Sequence, residues 1–470
     1  MIGRLLLLGA TGDLAGRFLL PALARLSADG RVPDGLQVVG AAVQDWDDRT
    51  FRSHVATRLR EHAGDVPTAV RDALVGRLRY RAVDPGAAGT VAAAARAFDD
   101  GDGDGDGGGA DRAAVAVYLA LPPALFPAML GALGDADLPA GSRIAVEKPF
   151  GTDLASAVAL NDLLTRVTGG IEEAAFRVDH FLGMPRVQAL LDLRAPGRSL
   201  AHVWDSASIT EVDVLWEETL GLEGRADFYD RTGAVRDVVQ NHMLQVLTLV
   251  AMELPARPTE GDLHAAKLDL LRSVRVLSAA EVPVRTRRAR YTAGTLGGTG
   301  ATGRRTVPGY TDEDGVDPAR GTETYAEVLL ELDTPRWTGT RFVLRTGKAL
   351  GTPRKGVALH FRTAAPACDP SDADRVAADR LWIELDAPEE GRQPGVQVAA
   401  PGERTAYGQV LTDLLSGGSR LSVSGEEAEQ AWRIVDPVLQ AWAQDAVPML
   451  EYPAGAAGPP PLEGTAGSRR

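Results

Sequence analysis

The 470-residue sequence contains a single cysteine, Cys368, which excludes an internal disulfide and is typical of a reducing compartment. Long hydrophobic runs are also missing. The longest, LLLLGA near the start and LTLVAM at 247–252, fall far short of the roughly 20 residues that a membrane span requires. Basic charge is in deficit, with a net charge of -14, whereas nucleic acids and anionic membranes bind basic surfaces. We therefore expect neither nucleic acid nor membrane as a partner.

The N-terminal stretch MIGRLLLLGATGD has one arginine and a short apolar run, but glycine and aspartate follow without a small-residue cleavage site. This pattern argues against a signal peptide and predicts a cytoplasmic protein. Hydrophobic residues make up 44% of the chain, which is enough for two or three domains that each bury a core.

Lysine is scarce, because arginine supplies all but four of the 50 basic residues. The four lysines are Lys148, Lys267, Lys348 and Lys355. A lysine in this chain therefore suggests a site that needs a compact ammonium rather than a planar guanidinium, although each could be there by chance.

The chain changes character near residue 178. Before it, apolar runs of strand length at LLLLGA, LQVVGAAV (36–43) and AVAVYLALPP (114–123) alternate with helical patterns, which predicts a parallel sheet covered on both faces. After it, ITEVDVLWEE, YAEVLLELD, TRFVLRTGK and GVALHFR indicate longer, mostly antiparallel strands, with a helix at 233–253. We predict domains at 1–178 and 179–452 and a flexible tail at 453–470, where apolar content is low.

The segment DDGDGDGDGGGAD (99–111) matches the spacing of a twelve-residue calcium loop, with aspartate where the last ligand is more often glutamate. A strand follows it, whereas a calcium-binding helix pair requires a second helix. A flexible acidic surface loop is the favoured interpretation, and we predict no metal site.

The word Gly9-Ala-Thr-Gly12-Asp13-Leu14 lies where the first predicted strand ends and a helix begins. Free N–H groups and the positive end of the helix dipole can face a pyrophosphate there. The spelling is not GxGxxG, so from these residues alone a tight turn without a ligand remains an equal alternative.

A series of further words, in order over nearly the whole chain, resembles the glucose-6-phosphate dehydrogenase family. With the glycine turn they are YLALPP (118–123), VEKPFGTDL (146–154), RVDHFLG (177–183), ETLGLEGRADFYDRTGAVRDVVQNHMLQVLTLVAMELP (218–255), VPGYTDEDGV (307–316), LRTGKAL (344–350) and EEAEQAWRIVDPVL (426–439). Such a series is far more specific than any one motif in it.

The resemblance implies an α/β, Rossmann-type N-terminal dinucleotide-binding domain and a C-terminal α+β domain with a large, mostly antiparallel sheet. It also implies a homodimer or homotetramer and oxidation of a hexose 6-phosphate at C1 to the δ-lactone, with NADP or NAD as cofactor. A base must take the proton of the C1 hydroxyl as hydride leaves, and histidine titrates in the appropriate range.

The family pattern assigns roles to individual residues. It makes His242, in the QNH word, the general base, Asp179 the carboxylate that orients it, and Lys148, in EKPFG, a bridge between cofactor and sugar. Substrate contacts are implied for His180, Glu218, Asp237, Lys348 and Arg354, and cofactor contacts for Gly9, Thr11, Gly12, Asp13, Leu14, Gln44, Pro122 and Lys148. Without the resemblance these would be ordinary surface charges, a backbone-bonded helix histidine and an unliganded turn.

Two departures from the family pattern concern specificity. The family word D-H-Y-L-G-K, whose histidine, tyrosine and lysine hold the 6-phosphate, here has Phe181 and Met184 in the last two roles. Losing two charge-assisted hydrogen bonds weakens binding by a factor on the order of 10² to 10⁴. Either the pocket takes an unphosphorylated or differently substituted sugar, or His180, Arg186, Lys348 or Arg354 compensates.

The second departure lies after the second strand, where Val43 replaces the family arginine for the 2′-phosphate of NADP. Arg17 is a candidate substitute, so relaxed or NAD-leaning cofactor use is predicted. A catalytically silent binding or regulatory subunit is a further alternative. It is disfavoured because Asp179, His242 and Lys148 are all retained.

Overall fold

The computed structural model describes residues 1–98, 113–257, 259–297, 303–362, 380–386 and 405–460. The acidic segment 99–111 and Cys368 lie outside these ranges. The chain forms two compact units: the first comprises Met1–Pro185, Thr259–His264 and Pro401–Glu429, and the second Arg186–Pro258, Ala265–Ala400 and Gln430–Arg470. The domain boundaries read from the sequence stay predictions.

The described ranges contain sixteen strands. They are β1 (Arg4–Leu8), β2 (Gln37–Ala42), β3 (Leu78–Ala82), β4 (Ala116–Leu119), β5 (Arg143–Glu147), β6 (Ala175–Val178), β7 (Ile209–Glu217), β8 (Thr286–Thr292), β9 (Gly294–Leu296), β10 (Arg305–Val307), β11 (Tyr325–Leu330), β12 (Arg341–Gly347), β13 (Arg354–Phe361), β14 (Arg380–Glu384), β15 (Ser422–Val423) and β16 (Met449–Pro453).

The α-helices of the same ranges are α1 (Leu20–Ala28), α2 (Asp48–His62), α3 (Thr68–Arg77), α4 (Ala88–Arg96), α5 (Phe126–Gly134), α6 (Leu154–Val167), α7 (Pro185–Arg194), α8 (Ala226–Ala234), α9 (Leu244–Ala251), α10 (Glu260–Ser273), α11 (Val282–Arg285), α12 (Ala406–Ser416) and α13 (Gly425–Ala443). Ala15–Leu19 and Val235–Met243 are π-helical, and short 3₁₀ turns occupy Pro123–Leu125, Glu172–Ala174, His180–Gly183, Ser199–Val203, Tyr310–Asp312, Pro318–Arg320 and Pro335–Trp337. Among the described helices, none combines the length and the apolar character of a membrane span.

The first unit is built on a sheet in which six parallel strands follow the order β3-β2-β1-β4-β5-β6, with β15 antiparallel to β6 at the edge. This is the doubly wound order of dinucleotide-binding domains, so the predicted Rossmann-type fold is confirmed. Four of the five residues of β1 are buried, as expected for a strand covered on both faces. The strand order reverses between β1 and β4, and ligands of such folds bind at the carboxyl ends of the strands beside that reversal.

The second unit contains a seven-stranded sheet in the order β14-β13-β7-β12-β11-β8-β16. Four of its strand pairs are antiparallel, while β7 with β12 and β8 with β16 are parallel. The predicted large, mostly antiparallel sheet is therefore confirmed. The helix expected at 233–253 forms as the π-helical segment Val235–Met243 followed by α9.

The tail begins later than the sequence indicates. Pro453 completes β16, Ala454 is buried, and the Ala454 carbonyl accepts a hydrogen bond from the Thr295 N–H. A Cβ at Gly455 would lie 2.1 Å from the Thr295 carbonyl oxygen, so only glycine permits this approach. The expectation of a loose chain from 453 is wrong for these residues because small residues pack by backbone contact without a large apolar side chain. Residues 461–470 lie outside the described ranges.

Candidate functional site

In the first unit, the segments predicted to bind the cofactor follow parallel strands. Gly9–Leu14 follows β1, Gln44 follows β2, Pro122 follows β4 and Lys148 follows β5. The carboxyl ends of neighbouring parallel strands share one edge of a sheet, so the fold brings these segments to that edge. Asp179 and His180 follow β6 and join them there.

Gly9 makes the turn after β1. Its φ is +85°, a left-handed conformation that side chains resist, and a Cβ would lie 2.2 Å from the Ala120 carbonyl oxygen at the end of β4. The strands therefore approach as closely as they do only because residue 9 is glycine. This turn opens directly into a helix at Asp13, whose first N–H groups lack intrahelical partners. A pyrophosphate fits this arrangement of glycine turn and helix N-terminus.

Polar side chains beside the turn link β1 to β2. The Thr11 hydroxyl donates to Gln44 Oε1 at 2.8 Å, and the Gln44 carbonyl accepts from the Tyr80 hydroxyl at 2.7 Å. The turn after β2 is thus held in place by its neighbours. Val43 projects from it with 65% exposure, in the position where the family places its arginine.

Arg17, the candidate substitute for that arginine, is engaged in its own helix. Its Nη1 lies 3.1 Å from Asp13 Oδ2, four residues earlier, and both side chains are more than half exposed. Exposed pairs of this kind contribute roughly 0.3 to 0.5 kcal/mol and are easily exchanged. Arg17 is therefore exposed and can exchange Asp13 for an anion.

Lys148 follows a buried carboxyl group that sequence reasoning did not select. Glu147, the last residue of β5, accepts a hydrogen bond from the Tyr118 hydroxyl at 2.5 Å. Burial raises the pKa of Glu147 to about 7, with Asp179 acting in the same direction and Tyr118 and Lys148 against it. An acid that titrates near neutrality thus lies directly before the predicted catalytic lysine. The only sequence feature that pointed to Glu147 was its place in the Glu-Lys-Pro motif.

The segment after β6 is anchored on Asp179. This aspartate is fully buried, and its Oδ1 accepts from the Phe181 N–H at 3.0 Å, which starts the short helix His180–Gly183. Phe181, which stands where the family has tyrosine, is itself buried, with 5% of its surface exposed.

A third aromatic residue, Tyr407, reaches this segment from the first turn of α12. A Cβ at Gly183 would lie 2.5 Å from the Ala406 carbonyl oxygen, so the glycine allows α12 to pack closely. The Tyr407 ring stacks on the His180 imidazole, with ring centroids 5.4 Å apart and planes 14° from parallel. No local sequence signal connects residue 407 with residue 180.

In the second unit, His242 lies in the π-helical segment Val235–Met243 and is 3% exposed. Its backbone N–H donates to Asn241 Oδ1 at 2.6 Å, and the Asn241 side-chain amide donates to the Arg236 carbonyl at 2.9 Å. A π-turn inserts an extra residue into the helix, and such turns occur frequently at functional sites.

The predicted substrate residues Glu218 and Lys348 are brought together by the parallel pair β7 and β12. Each follows the last residue of its strand, and Glu217 is in register with Gly347. Lys348 Nζ lies 2.7 Å from Glu218 Oε2 and 5.1 Å above the centre of the Tyr229 ring. Asp237 acts on the same ring, since its charge contributes to raising the pKa of the buried Tyr229, after burial and Glu323. The structure therefore places Lys348 over the Tyr229 ring and pairs it with Glu218, and Asp237 is near enough for its charge to act on the same phenol.

Arg354 and Arg186 differ in their pairing. Arg354 forms a two-point ion pair with Glu217, at 2.5 and 3.0 Å. By contrast, Arg186 Nη1, in the first turn of α7, is buried without a hydrogen-bond partner among the described residues. A buried unpaired donor is costly, so an anion bound there would satisfy it. Sequence reasoning had placed Arg186 only among several possible compensating residues.

One cluster in the second unit has the composition of a metal site. Ligand atoms of Glu211, Asp213 and His360 lie within 4.8 Å of one another. However, Arg341 pairs with Glu211 at 2.7 Å and His360 Nε2 lies 3.0 Å from Asp213 Oδ2. These charges are already compensated, and we assign the cluster to the ion-pair network of the sheet.

Comparison with known proteins gives a consistent result. The family profile described as "Glucose-6-phosphate dehydrogenase, NAD binding domain" matches residues 6–189, and that described as "Glucose-6-phosphate dehydrogenase, C-terminal domain" matches residues 191–405 and 395–468. Glucose-6-phosphate 1-dehydrogenase of Rhizobium meliloti is 34% identical over 96% of this chain and 93% of its own length.

Two solved structures are also similar over almost their whole length. A glucose-6-phosphate dehydrogenase in complex with its substrate glucose-6-phosphate has a TM-score of 0.83 at 25% identity and covers 98% of this chain and 96% of its own. Glucose-6-phosphate 1-dehydrogenase from Mycobacterium avium has a TM-score of 0.77 at 32% identity and covers 97% and 95%. Both domain profiles and the full-length identity establish that this chain belongs to the glucose-6-phosphate dehydrogenase family.

Proposed function

We propose that this protein oxidises C1 of glucose 6-phosphate to the δ-lactone with a nicotinamide dinucleotide as hydride acceptor. The observation that carries the proposal is the full-length family match in a chain that keeps Lys148, Asp179 and His242. The first two lie at the carboxyl edge of the parallel sheet, beside the turn that fits a pyrophosphate.

The reaction breaks the C1–H bond and the O–H bond of the C1 hydroxyl while a C1=O bond forms. A nicotinamide dinucleotide held by the turn at Gly9–Leu14 would supply the acceptor for the hydride. An imidazole nitrogen of His242 takes the hydroxyl proton, and burial of this residue keeps bulk water away from the proton transfer. Asp179 serves as the carboxylate that orients the imidazole and stabilises the imidazolium. Lys148 donates a hydrogen bond to the reacting hydroxyl. These roles follow the family pattern and are part of the proposal.

The sugar hydroxyls are assigned to the cluster around Tyr229. Glu218 and Asp237 offer carboxylate acceptors to hydroxyl donors, and Lys348 offers an ammonium donor. Because Lys348 is already held by Glu218, both charged groups are oriented before a substrate arrives, which lowers the entropic cost of binding.

We assign the 6-phosphate to His180 and Arg186, six residues apart in sequence. Arg186 would replace the family lysine that is Met184 here, and its buried, unpartnered Nη1 supports that role. Arg354 is less suited, because Glu217 already neutralises it. Oxidation of an unphosphorylated sugar is not favoured, since it rests on Phe181 and Met184 alone. A silent regulatory subunit is not favoured because Lys148, Asp179 and His242 are retained.

For the cofactor, we propose that NAD and NADP are both used, with a weaker NADP preference than the family arginine would provide. The support is Val43, which is exposed and uncharged where that arginine would be, and Arg17, which pairs with Asp13. Association into a homodimer or homotetramer stays a prediction.

The test is formation of reduced nicotinamide, followed by absorbance, with glucose 6-phosphate and glucose and with NAD and NADP separately. We expect turnover with glucose 6-phosphate and both dinucleotides, and far lower kcat/KM with glucose. Absence of turnover with every combination would overturn the proposed activity. A preference for glucose over its phosphate would overturn the assignment of His180 and Arg186.

A further inference from the structure

The His180 imidazole has aromatic neighbours on two sides within the first unit. The Tyr407 ring stacks on its face, at 5.4 Å and 14°, and Phe181 presents its edge at 5.2 Å and 79°. In a parallel stack, rotation of the imidazole about its last side-chain bond breaks the contact. The stack therefore restricts the directions in which the ring nitrogens can point.

The far end of Tyr407 lies near buried carboxyl groups. Burial, the charges of Glu147 and Asp179, and contact of the hydroxyl with Glu147 together raise the pKa of the phenol. The same carboxyl group accepts from the fully buried Tyr118 on β4. Glu147 ends β5 and is buried, so the Tyr407 hydroxyl faces the end of a central strand of the parallel sheet.

We propose that Tyr407 is a positioning residue that sets the preference for a phosphorylated sugar, because its ring stacks on the His180 imidazole and limits the directions in which that imidazole can turn. This inference deepens the proposed function and rests on it. In this chain position 181 has no hydroxyl, so His180 is the one side chain of the stretch RVDHFLGM that keeps a family role in binding phosphate. Its orientation then matters more than it would beside a second phosphate ligand.

The physical effect is a reduced cost of ordering. A histidine that is free to rotate loses that freedom when a phosphate binds, whereas a stacked histidine has lost it on folding. Aromatic pairs contribute roughly 0.5 to 1.5 kcal/mol beyond their buried area, which corresponds to about a 2- to 10-fold change in affinity.

Two substitutions separate the ring of Tyr407 from its hydroxyl. Tyr407→Leu removes the stacking surface, and Tyr407→Phe keeps the ring but removes the hydroxyl that faces Glu147. The measurement is the ratio of kcat/KM for glucose 6-phosphate to that for glucose, at saturating cofactor. We expect about a 10-fold fall in this ratio for Tyr407→Leu and a smaller fall for Tyr407→Phe. The fall should appear in KM for glucose 6-phosphate, with kcat nearly unchanged.

A double-mutant cycle with His180→Ala distinguishes positioning from a general structural effect. In the His180→Ala background, either Tyr407 substitution should leave the ratio unchanged, because the group that Tyr407 positions is gone. Equal effects of the Tyr407 substitutions with and without His180 would overturn the proposal. So would a loss of activity on both sugars by the same factor.

The wild-type protein separates this proposal from the proposed function. If it fails to oxidise glucose 6-phosphate, the activity itself is wrong. If it oxidises glucose 6-phosphate and the Tyr407→Phe and Tyr407→Leu variants keep the wild-type ratio, only the role of Tyr407 is wrong. Tyr407→Phe keeps the aromatic packing against Phe18 and His180, so this variant is the more secure against misfolding.

Discussion

At the scale of single residues, the structure distinguishes charged groups that are held for structural reasons from those available to a substrate. Arg354 and Glu217 neutralise each other at two points within the sheet. Lys348 and Glu218 also pair, but at the ends of their strands, beside Asp237 and over an aromatic ring. Two histidines of the second unit differ in burial. His242 is buried in a π-helical segment, whereas His202 is exposed.

Replacing His242 with asparagine tests the proposed base. The amide keeps hydrogen-bonding capacity but cannot accept the proton, so we expect kcat to fall by roughly 10² to 10⁴ while KM for sugar and cofactor changes little. Steady-state kinetics measure both quantities. His202→Asn, an exposed histidine of the same unit, is the matched control and should keep wild-type rates. A His242→Asn variant with wild-type kcat would remove the base from the mechanism.

Lys348→Met tests the cluster around Tyr229. The substitution removes the ammonium and leaves Glu218 without its partner, so we expect KM for glucose 6-phosphate to rise about 10- to 100-fold. Lys355 is a close match, because it also pairs with a carboxylate, Asp386 at 2.9 Å, and lies 4.9 Å above a ring, that of Trp216. Lys355→Met should leave KM near the wild-type value. Equal effects of the two substitutions would show that loss of an ion pair alone explains the change.

At the scale of elements, the parallel sheet decides where the chemistry can be. Four segments with predicted cofactor contacts follow β1, β2, β4 and β5, and the doubly wound order aligns their carboxyl ends. The turn after β1 depends on Gly9, which has both a positive φ and no room for a side chain. The positive φ and the lack of space are separate requirements. Gly35 shares the positive φ but has open space around it, so it serves as a control for conformation alone.

Gly9→Ala should destabilise the first unit and weaken dinucleotide binding together. Its φ of +85° costs an alanine roughly 1 to 3 kcal/mol, and the contact at 2.2 Å with the Ala120 carbonyl forces the strands apart as well. Gly35→Ala is the matched control, because its φ is +74° with no atom within 4 Å of the added carbon. Thermal unfolding and cofactor titration measure the two effects. A Gly9→Ala variant that binds the dinucleotide as well as Gly35→Ala would contradict the close-approach argument.

At the scale of the whole molecule, one buried acid couples stability to pH. The pKa of Glu147 is raised by burial from 4.5 to about 7 in the folded protein. Between these two values the folded state binds more protons than the unfolded state, so stability falls as pH rises. The stabilisation is fully present below pH 4.5 and lost above about pH 7. The shift corresponds to a few kcal/mol at most, about 1.4 kcal/mol for each pH unit.

Glu147→Gln removes this titration. We expect the urea midpoint of the variant, relative to wild type, to rise as pH increases from 4.5 to about 7. The direction follows because only the wild type carries the carboxyl group whose titration lowers stability in this range. A difference in urea midpoint between the two proteins that is the same at every pH would contradict titration of Glu147. Tyr80→Phe, which removes a buried hydroxyl of the same unit without touching a carboxyl group, should show such a constant offset.

Much of the fold was predictable from the sequence because its signals are local. Buried parallel strands appear as continuous apolar runs, as in LLLLGA and LQVVGAAV, and helical spacing between them indicates the crossovers. The long strands of the second unit and the helix near 233–253 were visible for the same reason. Residues 453–455 were misread, because backbone contacts of alanine and glycine leave no hydrophobic pattern.

The amino-acid sequence by itself determined the family, the two kinds of sheet and the identity of the chemical groups. These depend on which residue types are present and on the order of the motifs along the chain. Tertiary structure alone decided which groups meet. Tyr407 reaches His180 and Glu147 from more than 200 positions away, and Glu218 meets Lys348 through the register of β7 and β12. Such contacts are set by strand register and by the close approach that a glycine allows, and neither is written in local periodicity.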